Sequence, residues 1–538
     1  MEGSQTVDAP VAIVGGGPVG ITLALEIALH GIRSIIVERR APGESWQART
    51  NLTNTRSMEL FRRWGIADAL RENDPVSDDV PRSCTWVTAL NGHVVHDFKR
   101  IFDFDRMPIA SETPEWAPNA GIERTVAAAA AANPLVDLRY ESVYTGFEQD
   151  DDGVTVAYTD AAGEPRRLRC SYLVGADGSR SAVRGDLGVR MEGEADIVTA
   201  SIWLIEAPGL MERAEVGPSS FYFFINEHRD SLLLAPQDDE DRYTLGIVPA
   251  SADMDPDSWE DAKEILFRNI GFELPVRKLS GGRVRIHSLI APRFDHGRVL
   301  LAGDAAHLIS PMGGFGMNIG ISDSADLGWK LAAVLNGWGG PRLLASYGEE
   351  RAQADLWIQA ECIDNTGLLA PQLVEDGISA PGPAGDAVRK RVGARVHEAK
   401  SREFNSIGAQ LGYRYDGSPI VVDDGSPRPP VSMGEYVPCA RPGARAPHVW
   451  LDDGSSLYDH LGTEFALLRL DPEADTAPLE AAAAAAGMPL EVFEPEPDGL
   501  TDLYEAKLAL IRPDHHVAWR GGAAPADAAV VIDVVRGA

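Results

Sequence analysis

Cysteine is scarce in this chain: Cys84, Cys170, Cys362 and Cys439 are the only four, and no two form a CxxC pair. That scatter excludes a disulfide framework and a thiolate zinc site, and reduced, buried thiols and no metal are expected. Basic residues are short too, 49 Lys and Arg against 81 Asp and Glu, for a net charge of −32. Such a surface repels a nucleic-acid backbone, so nucleic acid is not an expected partner. It also repels a phosphorylated cofactor unless cations gather locally, which draws attention to Arg39, Arg40, Arg49, Arg56, Arg62 and Arg63. No apolar run is long enough to span a bilayer. The start MEGSQTVDAP carries neither a basic segment nor an apolar signal core, so a cytoplasmic location without a membrane partner is expected.

What is present is a chain of 538 residues, 44% hydrophobic and 24% charged, long enough for two to four domains. APVAIVGGGPVGITLALEIALHGIRSIIVERR, residues 9–40, reads as strand, tight turn, helix and strand. VAIV is a β-branched run of the kind buried on both faces of a parallel sheet. Gly15 permits the turn, Gly17 lets a pyrophosphate approach the backbone, and Gly20 lets helix and strand pack closely. Pro18 and Val19 open the helix, whose free amides and positive pole face that phosphate. Glu38 ends the second strand at the distance where an acid accepts hydrogen bonds from a ribose, with Arg39 and Arg49 as nearby basic groups. These residues predict a dinucleotide-binding βαβ unit and leave NAD or FAD open.

Two later segments bear on that choice. YLVGADGSRSAVR, residues 172–184, runs from an apolar strand into Asp177-Gly178 and a turn that can start a helix. RVLLAGDAAH, residues 298–307, is another buried strand ending at Gly303-Asp304, followed by LISPMGGFGMNIG and a long helix that stops near Asn336-Gly337. Together GGGPVG, GADGSRSAVR, GDAAHLISPMGGFGMNIGISDSADLGWKLAAVL, TRSMELFRRWGI and the tail LIRPDHHVAWR resemble the single-component, FAD-dependent aromatic hydroxylases, the class A flavoprotein monooxygenases. The nearest resemblance is to their phenol and chlorophenol hydroxylase branch, and it extends over nearly the whole chain.

The resemblance implies an α/β (α+β) architecture: a Rossmann-like FAD-binding domain, an inserted antiparallel-sheet substrate domain and a C-terminal thioredoxin-like domain. Residues 1–75, 110–185 and 290–365 would form the first, 76–109 and 186–289 the second, 366–424 a helical connector and 425–538 the last. It further implies FAD, with NADPH or NADH as reductant, O2, and a small aromatic substrate hydroxylated through a flavin C4a-hydroperoxide. Asp304 would serve the ribityl chain, and Pro311, Met317 and Asn318 would lie beside the flavin ring. Gly313 and Gly314 would leave room for ring and oxygen, and the helix after Gly316 would aim its amides at flavin N1 and O2. Asp177 and Arg184 would serve both FAD and NAD(P)H. Where the family often has glutamine, this chain has Glu123, with Arg124 as compensating cation.

Phe221, Tyr222, Phe223 and Phe224 lie in alternating runs that predict an antiparallel sheet over the flavin. A phenol reacts best as phenolate, and the family's base would fall near Asn51, which cannot accept that proton. Tyr222, His228 and His287 remain as candidates, and the substrate expected is a larger or more acidic aromatic, such as a natural-product intermediate. Baeyer–Villiger or epoxidising chemistry on a polyketide is the alternative, and a flavin-binding redox sensor a more distant one. The C-terminal unit lacks CxxC, so a packing or dimerisation role is expected of it.

Overall fold

The computed structural model describes residues 7–44, 52–77, 79–99, 106–251, 254–366, 369–496 and 499–538. Its first sheet is centred on Ala9–Val14, flanked in parallel by Ser34–Val37 and Pro165–Gly175 and extended by Val136–Arg139 and Val299–Leu301. The apolar runs in these strands are continuous because both faces are covered. All three motifs follow the carboxyl ends of parallel strands: Gly15 after Val14, Asp177 after Gly175, and Gly303-Asp304 after Leu301. That edge of an open parallel sheet is where ligands bind.

The helices Pro18–Leu29 and Phe315–Leu335 pack directly on each other. A methyl group on Gly320 would stand 2.6 Å from Val19 Cγ2, and one on Gly328 would stand 2.5 Å from Glu26 Cγ. Between these glycine contacts Thr22 Oγ1 donates to Ser324 Oγ at 3.1 Å, and Ser324 Oγ donates to the Val19 carbonyl at 2.9 Å. The pairs 19–320, 22–324 and 26–328 ascend together, so the helices run parallel with both positive poles at one end. Val19 is the second residue of its helix and Gly320 the sixth of the other, so the second pole projects about 6 Å further.

The second sheet runs His307–Leu308, Arg277–Ile290, Glu192–Glu206, Arg242–Val248, Ser231–Pro236, Phe221–Phe224, Cys84–Val87, Val94–Phe98. It is antiparallel as expected except where Phe221–Phe224 meets Cys84–Val87, which run parallel because the latter comes from a separate excursion of the chain. Both faces are covered, one by helix Trp259–Ile270 and the other by Gly382–Phe404. The C-terminal sheet has the order Leu490–Phe493, Phe465–Arg469, Leu508–Ile511, Val517–Gly521, with the first pair parallel and the others antiparallel, a thioredoxin-like path. Among the described residues no helix is long and apolar enough to cross a membrane.

Buried charge ties the C-terminal unit to the rest. Arg512 donates to Glu350 at 2.6 Å, to Asp514 at 2.7 Å and to Asp326 at 2.8 Å, and Lys330 donates to Asp326 and Glu350. Three carboxylates thus share two cations, and burial drives Asp326 far above its ordinary range, which relieves the excess charge. Arg56 and Arg63 are buried ties of the same kind, to Asp514 O and Thr463 O, and Arg62 makes a more exposed one to Asp459. Glu26, wholly buried, takes Arg63, Trp64 Nε1 and His30, and His30 reaches Glu464 at 2.8 Å.

Among the described residues, removing Arg512 leaves Asp326 and Glu350 with Lys330 as their one cation and Asp514 with only His516 beside it. Arg512→Ala is expected to lower unfolding free energy by about 3–5 kcal/mol in denaturant titrations. A second expectation follows from His30, which burial pulls down and the bonds to Glu26 and Glu464 hold up at about 9, against an ordinary 6.5. Its contribution is complete below pH 6.5 and is lost as pH rises through 9. Melting temperature should fall across that window, less steeply in His30→Gln.

Candidate active site

The first glycine loop is shaped by how closely its neighbours approach each glycine. Gly15 has φ +111°, and a methyl group there would collide with the Ala176 carbonyl at 2.3 Å. On Gly20 it would collide with the Gly15 carbonyl at 2.0 Å, whereas on Gly17 it would meet nothing within 4 Å. So Gly15 and Gly20 are glycine for the fold, and Gly17 borders open space at the helix N-terminus. Pro18 occupies the first turn, where its missing N–H costs no bond. Val19 packs under Gly303 and Gly320 and joins the first loop to the second.

Glu38 accepts from Gly16 N at 2.6 Å and from Arg40 N and Nε at 2.8 and 3.0 Å. Burial would raise its carboxyl; the Arg40 bonds outweigh that and lower it. Arg40 also reaches Glu123 Oε1 at 2.9 Å and the Gly16 carbonyl at 3.0 Å, so the acid that departs from the family pattern is neutralised by Arg40. Arg124 is exposed and donates to Asn73 O, and Arg39 is exposed. Arg49 and Asn51 lie outside the described residues.

Asp177 accepts from Ser181 Oγ at 2.5 Å and from Ala182 N at 2.7 Å, and Arg184 donates to the carbonyls of Ser179, Asp304 and Ala305. Here the middle motif braces the second loop from outside. Asp304 itself is half-buried, and its carboxylate makes no hydrogen bond among the described residues. The second loop turns at Pro311–Gly314, with Gly314 N donating to Pro311 O at 3.0 Å and Gly313 and Gly314 at φ +113° and +70°. Its helix starts at Phe315, so the free amides belong to Phe315, Gly316 and Met317, and a methyl on Gly316 would meet nothing within 4 Å. Neither pole helix has an acid in its first turn, which leaves both positive ends for an anionic ligand. Asn318 is occupied: Nδ2 donates to Leu52 O at 3.0 Å and Gly314 O at 2.7 Å, and Oδ1 accepts from Asn54 N at 2.9 Å. It positions the loop against the TRSMELF helix, which Asn54 caps.

A wall of aromatic rings adjoins this turn. A methyl on Gly314 would stand 3.4 Å from Leu52 Cδ2, and Leu52 pairs across a short ribbon with Trp116. Trp116 meets Phe221 edge-on at 4.2 Å, and Phe223 stacks on Trp86 at 5.0 Å. Tyr222 is a correction: its side chain points to the opposite face, into the core with helix Trp259–Ile270. Its hydroxyl donates to Gly217 O at 2.6 Å, and burial raises its pKa, so it is no base for a substrate on the flavin side. His228 is exposed, and His287 Nδ1 accepts from Asp196 N, so neither histidine is placed at the turn by a contact. The structure adds Leu52, Trp86, Trp116 and Asn365, all distant in sequence from the glycine motifs.

His307, Asp323 and Asp355 converge beneath the second loop, fully buried, with ligand atoms within 4.8 Å. Arg351 stands in the same cluster, donating to Asp323 at 2.8 Å and Asp355 at 3.0 Å. Burial pulls the His307 imidazole down, and Asp355 and Asp323 outweigh it and hold it up at about 9. Two cations therefore face two acids, and the cluster is closed as an ion-pair network that fixes Gly303 N on Asp323 Oδ2 at 2.9 Å.

Residues 8–357 match the family described as FAD binding domain, and residues 440–536 match aromatic-ring hydroxylase, C-terminal. The FAD-dependent monooxygenase apdD of Emericella nidulans is 32% identical, covering 95% of this chain and 87% of its own. The aklavinone 12-hydroxylase RdmE of Streptomyces purpurascens is 31% identical over 98% of each chain. Among solved structures, chromopyrrolic acid-soaked RebC with bound 7-carboxy-K252c has a TM-score of 0.89 and 35% identity, covering 98% of this chain and 99% of that one.

The two kinds of glycine separate experimentally. Gly17→Val and Gly316→Val are expected to fold with unchanged melting temperature when stripped of flavin, yet to lose flavin affinity by about tenfold or more, since each fills a cradle. Gly20→Ala should instead lower stability by about 2 kcal/mol or more through overpacking, read in denaturant titrations of the flavin-free proteins.

Proposed function

This chain belongs to the family of FAD-dependent aromatic-ring monooxygenases, and on that premise we propose that it hydroxylates a multi-ring, oxygen-substituted aromatic, a natural-product intermediate rather than a simple phenol. The observation that carries this reading is the pair of half-buried rings Phe221 and Phe223, backed by the buried Trp116 and Trp86 and joined to the Gly313-Gly314 turn through Leu52. A flat multi-ring ligand gains from burial along such a wall and from ring-on-ring contact.

The residues divide the work. Gly17 and the Pro18–Leu29 pole would hold the pyrophosphate, Glu38, already bonded to Gly16 N and Arg40, would accept further from the ribose, and the amides of Phe315, Gly316 and Met317 would stabilise negative charge on the reduced ring. Bound FAD, reduced by NADH or NADPH, supplies the activated oxygen. Gly313 and Gly314 hold the turn at positive φ with no side chain to crowd Phe315 and Leu52, while Leu52 and the aromatic wall exclude water. Asp177 and Arg184 act by bracing the second loop. The C-terminal unit, packed on Trp329 and Trp338, we assign to holding the Phe315–Leu335 helix in place. A cytoplasmic setting, where reduced nicotinamide is available, completes the proposal.

The test is a panel of simple phenols and multi-ring phenolics, scored for flavin reduction rate and for product formed per NAD(P)H consumed. Multi-ring ligands are expected to accelerate reduction by about tenfold or more and to couple it to hydroxylated product, with simple phenols giving mainly peroxide. Equal coupling by a simple phenol, or acceleration by no aromatic, would overturn the assignment.

A further inference from the structure

Among the described residues several buried polar atoms near the second loop lack a partner, and one of them, an amide, lies against its glycine turn. Helix Arg342–Thr366 ends against that loop, with Ser310 Oγ and Thr366 Oγ1 2.6 Å apart and Thr366 Oγ1 donating to Cys362 O at 2.7 Å. Its penultimate residue, Asn365, is 8% exposed, and its Nδ2 makes no hydrogen bond among the described residues. A methyl group on Gly313 would stand 3.9 Å from that nitrogen. Buried amides are nearly always satisfied, and leaving one open costs free energy. An amide left open beside the turn where the proposed function places the substrate is a donor waiting for a ligand.

The backbone beneath it is held firmly. Lys400, buried, donates to the Asn365 carbonyl at 3.0 Å and to Glu403 Oε2 at 2.9 Å. That ion pair belongs to helix Gly382–Phe404, whose last residue, Phe404, lies 6.1 Å from Phe223 in the aromatic wall. Asn365 is therefore fixed between the glycine turn on one side and the helix that carries part of the wall on the other. The pair adds no net charge, so the amide meets its ligand as a neutral donor.

We propose that the Asn365 side-chain amide donates a hydrogen bond to an acceptor oxygen of the aromatic substrate, a phenolate or quinone-type carbonyl lying against Gly313 and Gly314. This rests on the hydroxylase reading above and extends it to a recognition residue. A donor to the charged form favours ionisation. The bound phenol then loses its proton more readily, which fits a substrate acidic enough to need no strong base.

The test uses flavin-loaded enzyme and alizarin, which carries both a phenol and quinone carbonyls, titrated by the change in flavin and ligand absorbance across pH. Asn365→Ala should weaken alizarin binding about tenfold and raise the apparent pKa of the bound phenol, with FAD content unchanged. Asn365→Asp should weaken it further, because a carboxylate faces the phenolate. Melting temperature of ligand-free Asn365→Ala should be equal to or above that of the parent, since an unpaired buried amide is removed. Wild-type-like alizarin binding in Asn365→Asp, or a fall in FAD content parallel to the loss of alizarin, would overturn the assignment. So would a lower melting temperature in Asn365→Ala with binding unchanged. If the parent enzyme itself binds no alizarin, the multi-ring reading fails first and this one with it; binding by the parent that the variants share equally defeats this one alone.

Discussion

Everything in the site depends on how closely two parallel helices approach. Val19 reaches under Gly303 and against Gly320, Thr22 bonds Ser324, and Glu26 lies on Gly328; no side chain larger than hydrogen fits at Gly320 or Gly328. The contact places two positive poles side by side, staggered along their axes by about 6 Å. Like poles repel, and no first-turn acid relieves them. A long ligand with negative charge at two separated places relieves both at once. FAD, the cofactor of this family, is such a ligand, and the proposed function would set its pyrophosphate at one pole and its ring at the other.

The Phe315–Leu335 helix is also where the remaining networks meet. One turn past its start Asn318 ties it to the strand and helix around Leu52 and Asn54. Asp323 then fixes the start of its own loop through Gly303 and pairs with His307 and Arg351. Asp326 and Lys330 carry the contact to Arg512 in the C-terminal unit, and Trp329 packs into that unit's core. Buried ion pairs add little to stability against apolar alternatives, but they are costly to break singly. Their effect here is to hold one helix in one register, which is what an oxygen-transferring ring requires of its bed.

Much of this was legible from short range. Gly15, Gly17, Gly20, Glu38, Asp177, Gly303 and the Pro311–Gly314 turn each work within a few residues of a strand end, so their spacing carries their geometry. The helix 315–335 was readable for the same reason, though it begins one residue before Gly316. The run Phe221–Phe224 announced a strand but not its faces, because helices cover both sides and no polar alternation marks the flavin side. Phe221 and Phe223 face the wall, and Tyr222 faces away. Likewise Glu123 read as an uncomfortable acid until Arg40, 83 residues earlier, came to lie 2.9 Å from it.

The division follows from range. Backbone conformation and strand ends obey neighbours along the chain, so the cofactor loops, the fold class and the family resemblance stood in the residues themselves. Which face a side chain shows, and which distant group it meets, depends on packing between segments whose order in sequence says nothing of their distance. Asn365 beside Gly313, Lys400 on the Asn365 carbonyl, and Leu52 between Gly314 and Trp116 are contacts of that second kind. The polar residues of a buried helix look in sequence like those of an exposed one, and only the neighbours that close over them reveal which of them lack a partner.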